Sequence, residues 1–309
     1  MMKRIISVIS ACLIIFSAIL SAAPVYAINP IDVDRACSLK IEYGYSGELF
    51  EGLEISTYKI ADVCEDGTYN MTKEFADYSV NIYGITSQAE WKKVSTTLAS
   101  YISADSIKPT YTSTTDENGC AKFDNIEAGM YLTLEKKVTS GETVITFENF
   151  LTAVPSPKDE EDHLYDVFAR PKYSAYTPTK KELDYKIVKQ WKDEGNAANR
   201  PENVEIDILK NGSIHSSIIL NSSNNWSYSW KCEDDGSKWE AVERNILGEY
   251  VVSVEYDKTT IIVTNTCFNA PENPPQTGDI NTTEPYVLTM SISGILLMIM
   301  ALLIKRREQ

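Results

Sequence analysis

Apolar and polar residues alternate in short runs along most of the chain between residues 38 and 266. In residues 185–191, for example, one face carries Tyr185, Ile187, Lys189 and Trp191, and the other face carries the residues between them. A period of two is typical of β-strands that bury one face, whereas helices bury residues three or four apart. The pattern therefore predicts a mostly β fold.

Composition and motifs limit the classes of function. The 309 residues include 29 Lys+Arg and 44 Asp+Glu, which gives a net charge of −15. Such an acidic chain repels phosphate backbones, so we expect no nucleic-acid partner. Only two histidines are present, and the sequence contains no G-x-S-x-G, H-E-x-x-H or P-loop motif. We therefore predict no enzyme activity, no cofactor and no metal site.

The N-terminus predicts export. Lys3 and Arg4 precede an apolar run over residues 5–20, and a small-residue cleavage site ends at Ala27. This order is typical of a secretory signal peptide, here residues 1–27. An uncleaved N-terminal anchor helix is the alternative. Either way, the body of the protein is expected outside the cell.

The C-terminus carries a second apolar run. Residues 286–304 contain no charge and are long enough to cross a bilayer, and the basic tail 305–309 follows directly. Before this span lies a pentapeptide, Pro274-Pro275-Gln276-Thr277-Gly278. Together the three elements resemble the LPXTG cell-wall sorting signal of Gram-positive surface proteins, with Pro274 in place of leucine.

This resemblance, which covers residues 270–309, implies a covalent attachment reaction. A sortase would cleave between Thr277 and Gly278 and pass the Thr277 acyl group to an amine of peptidoglycan, of its precursor or of another subunit. The membrane span would then be transient, as in other anchors whose hydrophobic tail is removed. A plain single-pass membrane protein is the alternative.

A polar stretch divides the body of the chain. Residues 173–181 contain Pro178 and no apolar run, so we predict a linker between a domain over 28–174 and a domain over 180–269.

Three polar residues of the second domain share the parity of apolar neighbours. Lys189 follows Ile187, Glu243 follows Ala241, and Asn265 follows Val263. Burying a lone charge is costly, so buried polar groups of this kind usually meet each other. We therefore predict that Lys189, Glu243 and Asn265 converge in the core.

The second domain resembles the self-crosslinking Cna B-type domain of Gram-positive surface proteins. The resemblance rests on six segments, namely 188–191, 200–201, 225–226, 239–243, 248–250 and 264–266. It implies an isopeptide bond between Lys189 and Asn265, assisted by Glu243 and formed in a single turnover. An ordinary buried hydrogen-bonded cluster, or outward side chains at misjudged parity, is the alternative.

The first domain contains one predicted helix. Ser87 and Glu90 form a capping-box pattern, and apolar residues follow at helical spacing, which predicts a helix over 88–103. Segments 39–41, 57–62, 115–123, 129–132 and 150–155 resemble the N-terminal domain of sortase-assembled pilins. The two resemblances imply two Ig-like, Cna B-type β-sandwich domains in tandem, the first with a helical excursion.

A lysine near the predicted linker is a candidate for polymerisation. Residues 163–172, HLYDVFARPK, match the pilin motif WxxxVxVYPK at Val167, Pro171 and Lys172, and differ from it at His163, Ala169 and Arg170. The resemblance implies that Lys172 receives the acyl group of the next subunit, so that other pilin subunits are partners. A free-standing wall-anchored adhesin that does not polymerise is the alternative. The sequence identifies no host or surface ligand.

Two further features concern covalent links within the chain. Lys40 lies on the strand face opposite Leu39 and Ile41, so we expect no crosslink between Lys40 and Asn149 in the first domain. Five cysteines remain outside the signal peptide, and their pairing is left open, including a pair within the second domain; they are Cys37, Cys64, Cys120, Cys232 and Cys267.

Overall fold

The computed structural model describes residues 29–158, 162–194 and 196–267. Within these ranges the chain forms 22 strands and one α-helix. The predicted mostly β fold is confirmed.

The first half contains fifteen strands among its described residues. In chain order they are β1 (Cys37–Glu42), β2 (Gly44–Tyr45), β3 (Glu48–Leu49), β4 (Glu54–Val63), β5 (Tyr69–Met71), β6 (Tyr111–Thr114), β7 (Cys120–Ile126), β8 (Gly129–Thr133), β9 (Lys136–Ser140), β10 (Thr143–Phe147), β11 (Phe150–Val154), β12 (Ser156–Pro157), β13 (His163–Leu164), β14 (Asp166–Ala169) and β15 (Tyr173–Tyr176).

Three larger sheets organise this half. One has the order β14-β1-β7, one the order β15-β10-β9, and one the order β11-β8-β4-β5, with β6 also paired to β4. Their inner faces bury a core that includes Leu39, Ile41, Tyr131 and Phe147, each at most 1% exposed. Burial of these large side chains supplies the main stabilising free energy of the half.

The second half forms a two-sheet sandwich. Its strands are β16 (Glu182–Lys192), β17 (Asn203–Lys210), β18 (Ser213–Asn221), β19 (Ser227–Glu233), β20 (Trp239–Glu243), β21 (Tyr250–Asp257) and β22 (Thr260–Cys267), with short 3₁₀ helices at Ala197–Asn199 and Ser222–Asn224. One sheet has the order β19-β16-β22-β21 and the other β18-β17-β20. The core between them includes Ile187, Ile206, Ala241 and Val263, all fully buried.

In both halves the first strand pairs in parallel with a late strand, which is the next-to-last strand of the first half and the last strand of the second. β1 pairs with β14 in the first half, and β16 pairs with β22 in the second. The second pairing runs from Lys186 opposite Thr260 to Lys192 opposite Thr266. A bond between β16 and β22 would therefore join the two ends of the domain.

Helix α1 (Gln88–Asp105) extends two residues beyond the predicted helix. The capping box is present, since the Ser87 hydroxyl accepts from the Glu90 N–H and the Glu90 carboxylate accepts from the Ser87 N–H. The helix ends at Ser106, which has a left-handed conformation. All nine residues from 94 to 102 are buried, because β20 and β21 of the second half cover the helix on one side and β11 covers it on another.

The predicted linker over 173–181 is only partly irregular. Tyr173–Tyr176 forms β15 and pairs with β10, which makes it part of the first half. The reason is aromatic packing, since the Tyr173 ring lies edge-on to the rings of Tyr45 and Phe147, with centroids 5.4 and 6.0 Å away. The domain boundaries at 28–174 and 180–269 stay predictions.

Candidate functional site

Three strands bring Lys189, Glu243 and Asn265 together. Lys189 lies on β16, Asn265 lies on the adjacent strand β22, and Glu243 is the last residue of β20 in the opposite sheet. The exposed fraction is 4% for Lys189, 2% for Asn265 and 3% for Glu243. All three side chains point inward, as their parity with apolar neighbours predicts.

The three side chains form a contiguous polar cluster. The Lys189 Nζ lies 3.6 Å from the Glu243 Oε2, and the Asn265 Nδ2 donates to the Glu243 Oε1 at 2.6 Å. The Lys189 Nζ also donates to the Gln190 carbonyl oxygen at 2.9 Å. Two side-chain oxygens of the cluster, Glu243 Oε2 and Asn265 Oδ1, are buried and accept no hydrogen bond from the described residues. The acid thus contacts both the amine and the carboxamide, and the carboxamide oxygen has no donor among the described residues.

Burial shifts the protonation of both ionisable groups toward neutral forms. It lowers the pKa of Lys189 from 10.5 to about 8, although the Glu243 carboxylate opposes this change. It also raises the pKa of Glu243, against the opposing effects of Lys189 and of the Asn265 amide. An apolar site favours a neutral amine and a protonated acid, and a neutral amine is a nucleophile.

Aromatic rings line one side of the amine. The Lys189 Nζ lies 4.0 Å from the centre of the Trp191 ring, and Trp226 and Tyr250 contact that ring edge-on. Desolvated cations bind ring faces favourably, and the same rings exclude water. The wall therefore keeps the amine out of solvent.

A second charged pair supports the wall. The Arg200 Nε donates to the buried Asp193 Oδ2 at 2.7 Å, and the Tyr250 hydroxyl donates to the same oxygen at 3.0 Å. The Arg200 hydrogen bond, ahead of that from Tyr250, holds the pKa of Asp193 below its usual range. The sequence analysis did not predict a role for Asp193. Its position two residues after Trp191 would have indicated one, because it continues the alternation that points Lys189 inward.

A cavity lies beside the cluster. It has a volume of about 230 Å³ and is lined by Glu243, Asn265 and Tyr250, together with Pro201 and Leu247. A water-sized molecule needs about 30 Å³. The cavity is therefore large enough to receive a small product released from the Asn265 carboxamide.

Lys172 lies apart from this cluster, in the first half between β14 and β15. Its side chain is exposed, while the preceding Pro171 is buried. The Lys172 carbonyl oxygen accepts from the Glu148 N–H at 2.8 Å. Arg170, which departs from the pilin motif, pairs with Glu42 at 2.7 Å. The backbone at Lys172 is thus fixed, and its amine is accessible.

The other predicted covalent features have separate outcomes. Lys40 is exposed, as its parity predicts, and the buried Asn149 Nδ2 has no hydrogen-bond partner among the residues that the structure describes. Cys232 is a free thiol, as are Cys37, Cys64 and Cys120. In the strand register, Cys232 lies opposite Leu183, near the start of β16. Cys267 lies at the other end of β16, because it follows Thr266, which is opposite Lys192. Nine residues of extended strand, about 30 Å, separate these positions, so Cys232 and Cys267 are too far apart for a disulfide.

Both predicted terminal signals lie outside the described residues. These are the signal peptide 1–27, and the sorting signal with Pro274, Pro275, Gln276, Thr277, Gly278, the span 286–304 and the tail 305–309. The one helix of the described ranges is not apolar enough to span a bilayer. No group of three or more His, Cys, Asp or Glu side chains in the described part of the chain is arranged to hold a metal ion.

Comparison with known proteins places the cluster in a recognised domain. Residues 185–266 match the family described as the Cna protein B-type domain. The match includes Lys189, Glu243 and Asn265. No curated protein matches the chain.

Among solved structures, this chain is similar to a single B repeat unit of the collagen-binding surface protein Cna of Staphylococcus aureus. The two share 15% sequence identity with a TM-score of 0.26, and the alignment covers 75% of this chain and 99% of that one. The full-length major pilin SpaD from Corynebacterium diphtheriae has 17% identity and a TM-score of 0.30, and the alignment covers 76% of this chain and 65% of that one.

Proposed function

We propose that this chain is a structural subunit of a Gram-positive cell surface, a pilin, whose second half ties its first and last strands together by an isopeptide bond between Lys189 and Asn265. The observation that carries the proposal is the burial of an amine, an acid and a carboxamide in one contiguous cluster. The match of residues 185–266 to the Cna B-type domain supports it.

The reaction proposed for the cluster is an amide exchange. The neutral Lys189 Nζ attacks the Asn265 Cγ, and a new C–N bond forms. The Glu243 carboxyl group, which contacts the carboxamide nitrogen, accepts the proton lost by Nζ and relays it to that nitrogen as it departs. The old C–N bond breaks and one ammonia leaves, with no change in oxidation state. The reaction occurs once per chain, so the protein is not an enzyme in the sense of turnover.

The proposed attachment uses two other residues. A sortase is expected to cleave after Thr277 and to transfer its acyl group to Lys172 of a second pilin subunit, or to peptidoglycan or its precursor for anchoring at the cell wall. The exposed amine of Lys172 and the fixed backbone beside it support its role as acceptor. In the alternative, a free-standing wall-anchored adhesin, the crosslink and the anchor are the same but Lys172 is not used.

Intact-mass measurement tests the crosslink. We expect residues 28–277, produced without sortase, to be lighter than the sequence mass by one ammonia. Glu243→Ala and Lys189→Ala should restore the full mass, because each removes a group that the reaction needs. Lys186→Ala, which removes an exposed lysine of the same strand, is the matched control and should still lose ammonia. The full sequence mass in the wild-type chain would refute the proposal.

A further inference from the structure

The two sheets of the second half each have an edge strand near the Lys189 cluster. β21 is the edge strand of one sheet, and β20 is the edge strand of the other. Val252 on β21 lies directly opposite Asn265 on β22, and Glu243 itself lies on β20. An uncovered edge exposes backbone N–H and C=O groups to water. Glu243 thus lies on one edge strand, and Asn265 lies on the strand next to the other edge strand.

The first half supplies the partners of these edges. On β21, the Val252 N–H donates to the Ser79 carbonyl oxygen at 2.7 Å, and the Val254 N–H donates to the Thr97 Oγ1 at 2.8 Å. On β20, the Glu243 carbonyl oxygen accepts from the Tyr101 hydroxyl at 2.9 Å. Both edges are therefore closed by α1 and the segment before it.

The contact around these bonds excludes water. Tyr101 is 5% exposed, and Leu98 and Ile102 of α1 share a continuous apolar core with Val252 and Val254. Ion pairs lie at its margin, where the Arg244 Nη1 lies 2.7 Å from the Asp105 Oδ1 and the Lys93 Nζ lies 2.9 Å from the Glu255 Oε2. An apolar centre with a charged rim is the arrangement of a stable docked interface.

We propose that α1 of the first half completes the crosslinking site of the second half, with Tyr101 as a positioning residue that holds Glu243 through its backbone carbonyl. This inference rests on the proposed crosslink. The reaction is the same amide exchange, in which one C–N bond forms, one breaks and one ammonia leaves. The helix contributes no reacting group; it fixes the strand that carries the acid.

Sequence reasoning places Tyr101 beside the predicted apolar positions of α1 and gives it no role. Its hydroxyl is the one polar atom of the helix that reaches the strand of the acid among the hydrogen bonds described. Without that hydroxyl, the Glu243 carbonyl would need a water molecule as donor, and buried water would favour charged Lys189 over neutral Lys189. We therefore expect the loss of Tyr101 O–H to slow the reaction most at neutral pH.

Several charged and titratable groups surround the cluster and its helical cover. They are Glu243 on β20, Asp193 and Arg200 after β16, Tyr250 on β21, Tyr78 before α1, Tyr101 and Asp105 on α1, and Arg244 after β20. Burial lowers the pKa of Lys189 to about 8, so the neutral amine becomes populated over the pH range of the test. The pH dependence of crosslinking should therefore follow the amine.

The test follows ammonia loss after cell-free synthesis of residues 28–277, because the nascent chain starts without the bond. Intact mass is measured against time between pH 6.5 and 9. We expect Tyr101→Phe to react more slowly than the wild type at pH 7, because a higher pKa of Lys189 leaves less neutral amine. Each unit of increase in that pKa slows the reaction roughly tenfold, and the variant should approach the wild-type rate at pH 9. Thr97→Val, which removes the acceptor of the Val254 N–H, should shift the profile in the same direction.

Tyr131→Phe is the matched control. Its buried hydroxyl donates to the Glu127 carbonyl oxygen at 2.7 Å, in the first half and away from the cluster. We expect wild-type rates from it at every pH. A Tyr101→Phe profile equal to the wild-type profile, or slowed equally at all pH values, would overturn the role of the helix while leaving the crosslink intact. A wild-type chain that never loses ammonia would overturn the proposed function and this inference together.

Discussion

Lys189 is subject to two opposed influences. Removal from water favours its neutral form, and the Glu243 carboxylate 3.6 Å away favours its charged form. Burial wins, because the amine and the carboxylate are both almost completely enclosed and the same burial raises the pKa of Glu243. A proton shared across this pair leaves a nucleophile next to an acid, which is the state that amide exchange requires.

This balance predicts a pH-dependent stability when the bond cannot form. In Asn265→Ala, Lys189 keeps its amine, with a pKa near 8 in the folded chain and 10.5 in the unfolded chain. The unfolded chain binds more protons between these values, so the free energy of unfolding should rise with pH over this window, by up to about 3 kcal/mol. Urea denaturation measures it. The double variant Lys189→Met/Asn265→Ala is the control, and an equal rise in both would contradict the shifted pKa.

At the scale of elements, alternation predicts strands well where each strand has one buried face. The alternating run 185–191 lies within the strand Glu182–Lys192, and the three cluster residues face inward. The predicted helix is correct in place and cap, but its period of apolar residues does not show that the second half covers it. Tyr173–Tyr176 was predicted as linker for a similar reason, since its partners Tyr45 and Phe147 are distant in sequence. Period identifies a face that avoids water, and only tertiary packing identifies what covers it.

The bond between β16 and β22 should stabilise the second half measurably. It would close the chain from residue 189 to residue 265, and a disulfide over a loop of that length contributes about 4 kcal/mol by loop entropy. Glu243→Gln, which keeps the shape of the side chain but removes the acid, should therefore lower the midpoint of thermal unfolding by about 10 °C. Glu249→Gln, an exposed glutamate of the same half, is the control and should unfold like the wild type. An unchanged midpoint in Glu243→Gln, together with its full sequence mass, would show that the tie adds no stability.

A second charge cluster, around the buried Glu240, lies where the two halves meet. The Lys238 Nζ of the second half lies 2.8 Å from the Glu240 Oε1 and 3.6 Å from the Glu135 Oε2 of the first half. Lys137 of the first half donates to the Gly236 carbonyl oxygen at 3.0 Å. Burial lowers the pKa of Lys238, but the combined effect of the Glu240 and Glu135 carboxylates is larger and raises it, so this lysine is charged. The cluster thus acts as an ionic link between the halves.

Removal of that lysine should weaken the link. Lys238→Met leaves Glu240, which is 1% exposed, without its cation. We expect the free energy of unfolding to fall by about 3 kcal/mol, because an uncompensated buried charge is costly. Lys231→Met is the control; Lys231 also pairs with a glutamate, Glu182, at 3.0 Å, but on the surface, where ion pairs contribute little. Urea denaturation compares the two, and equal losses would argue against an ionic link.

Polymerisation is the prediction that involves the whole molecule. A shaft needs one electrophile and one nucleophile per subunit, and the nucleophile must be accessible to a sortase. Lys189 is enclosed and cannot serve, whereas Lys172 is exposed on a backbone fixed by buried Pro171 and by the Glu148 N–H. Arginine keeps the charge but stays protonated, so Lys172→Arg should abolish the ladder of polymers on a denaturing gel of wall extracts and leave wall-bound monomer. Lys180→Arg, a nearby exposed lysine, is the matched control and should keep the ladder. A ladder that persists in Lys172→Arg would place the acceptor elsewhere, and a wild-type chain without a ladder would favour the free-standing adhesin.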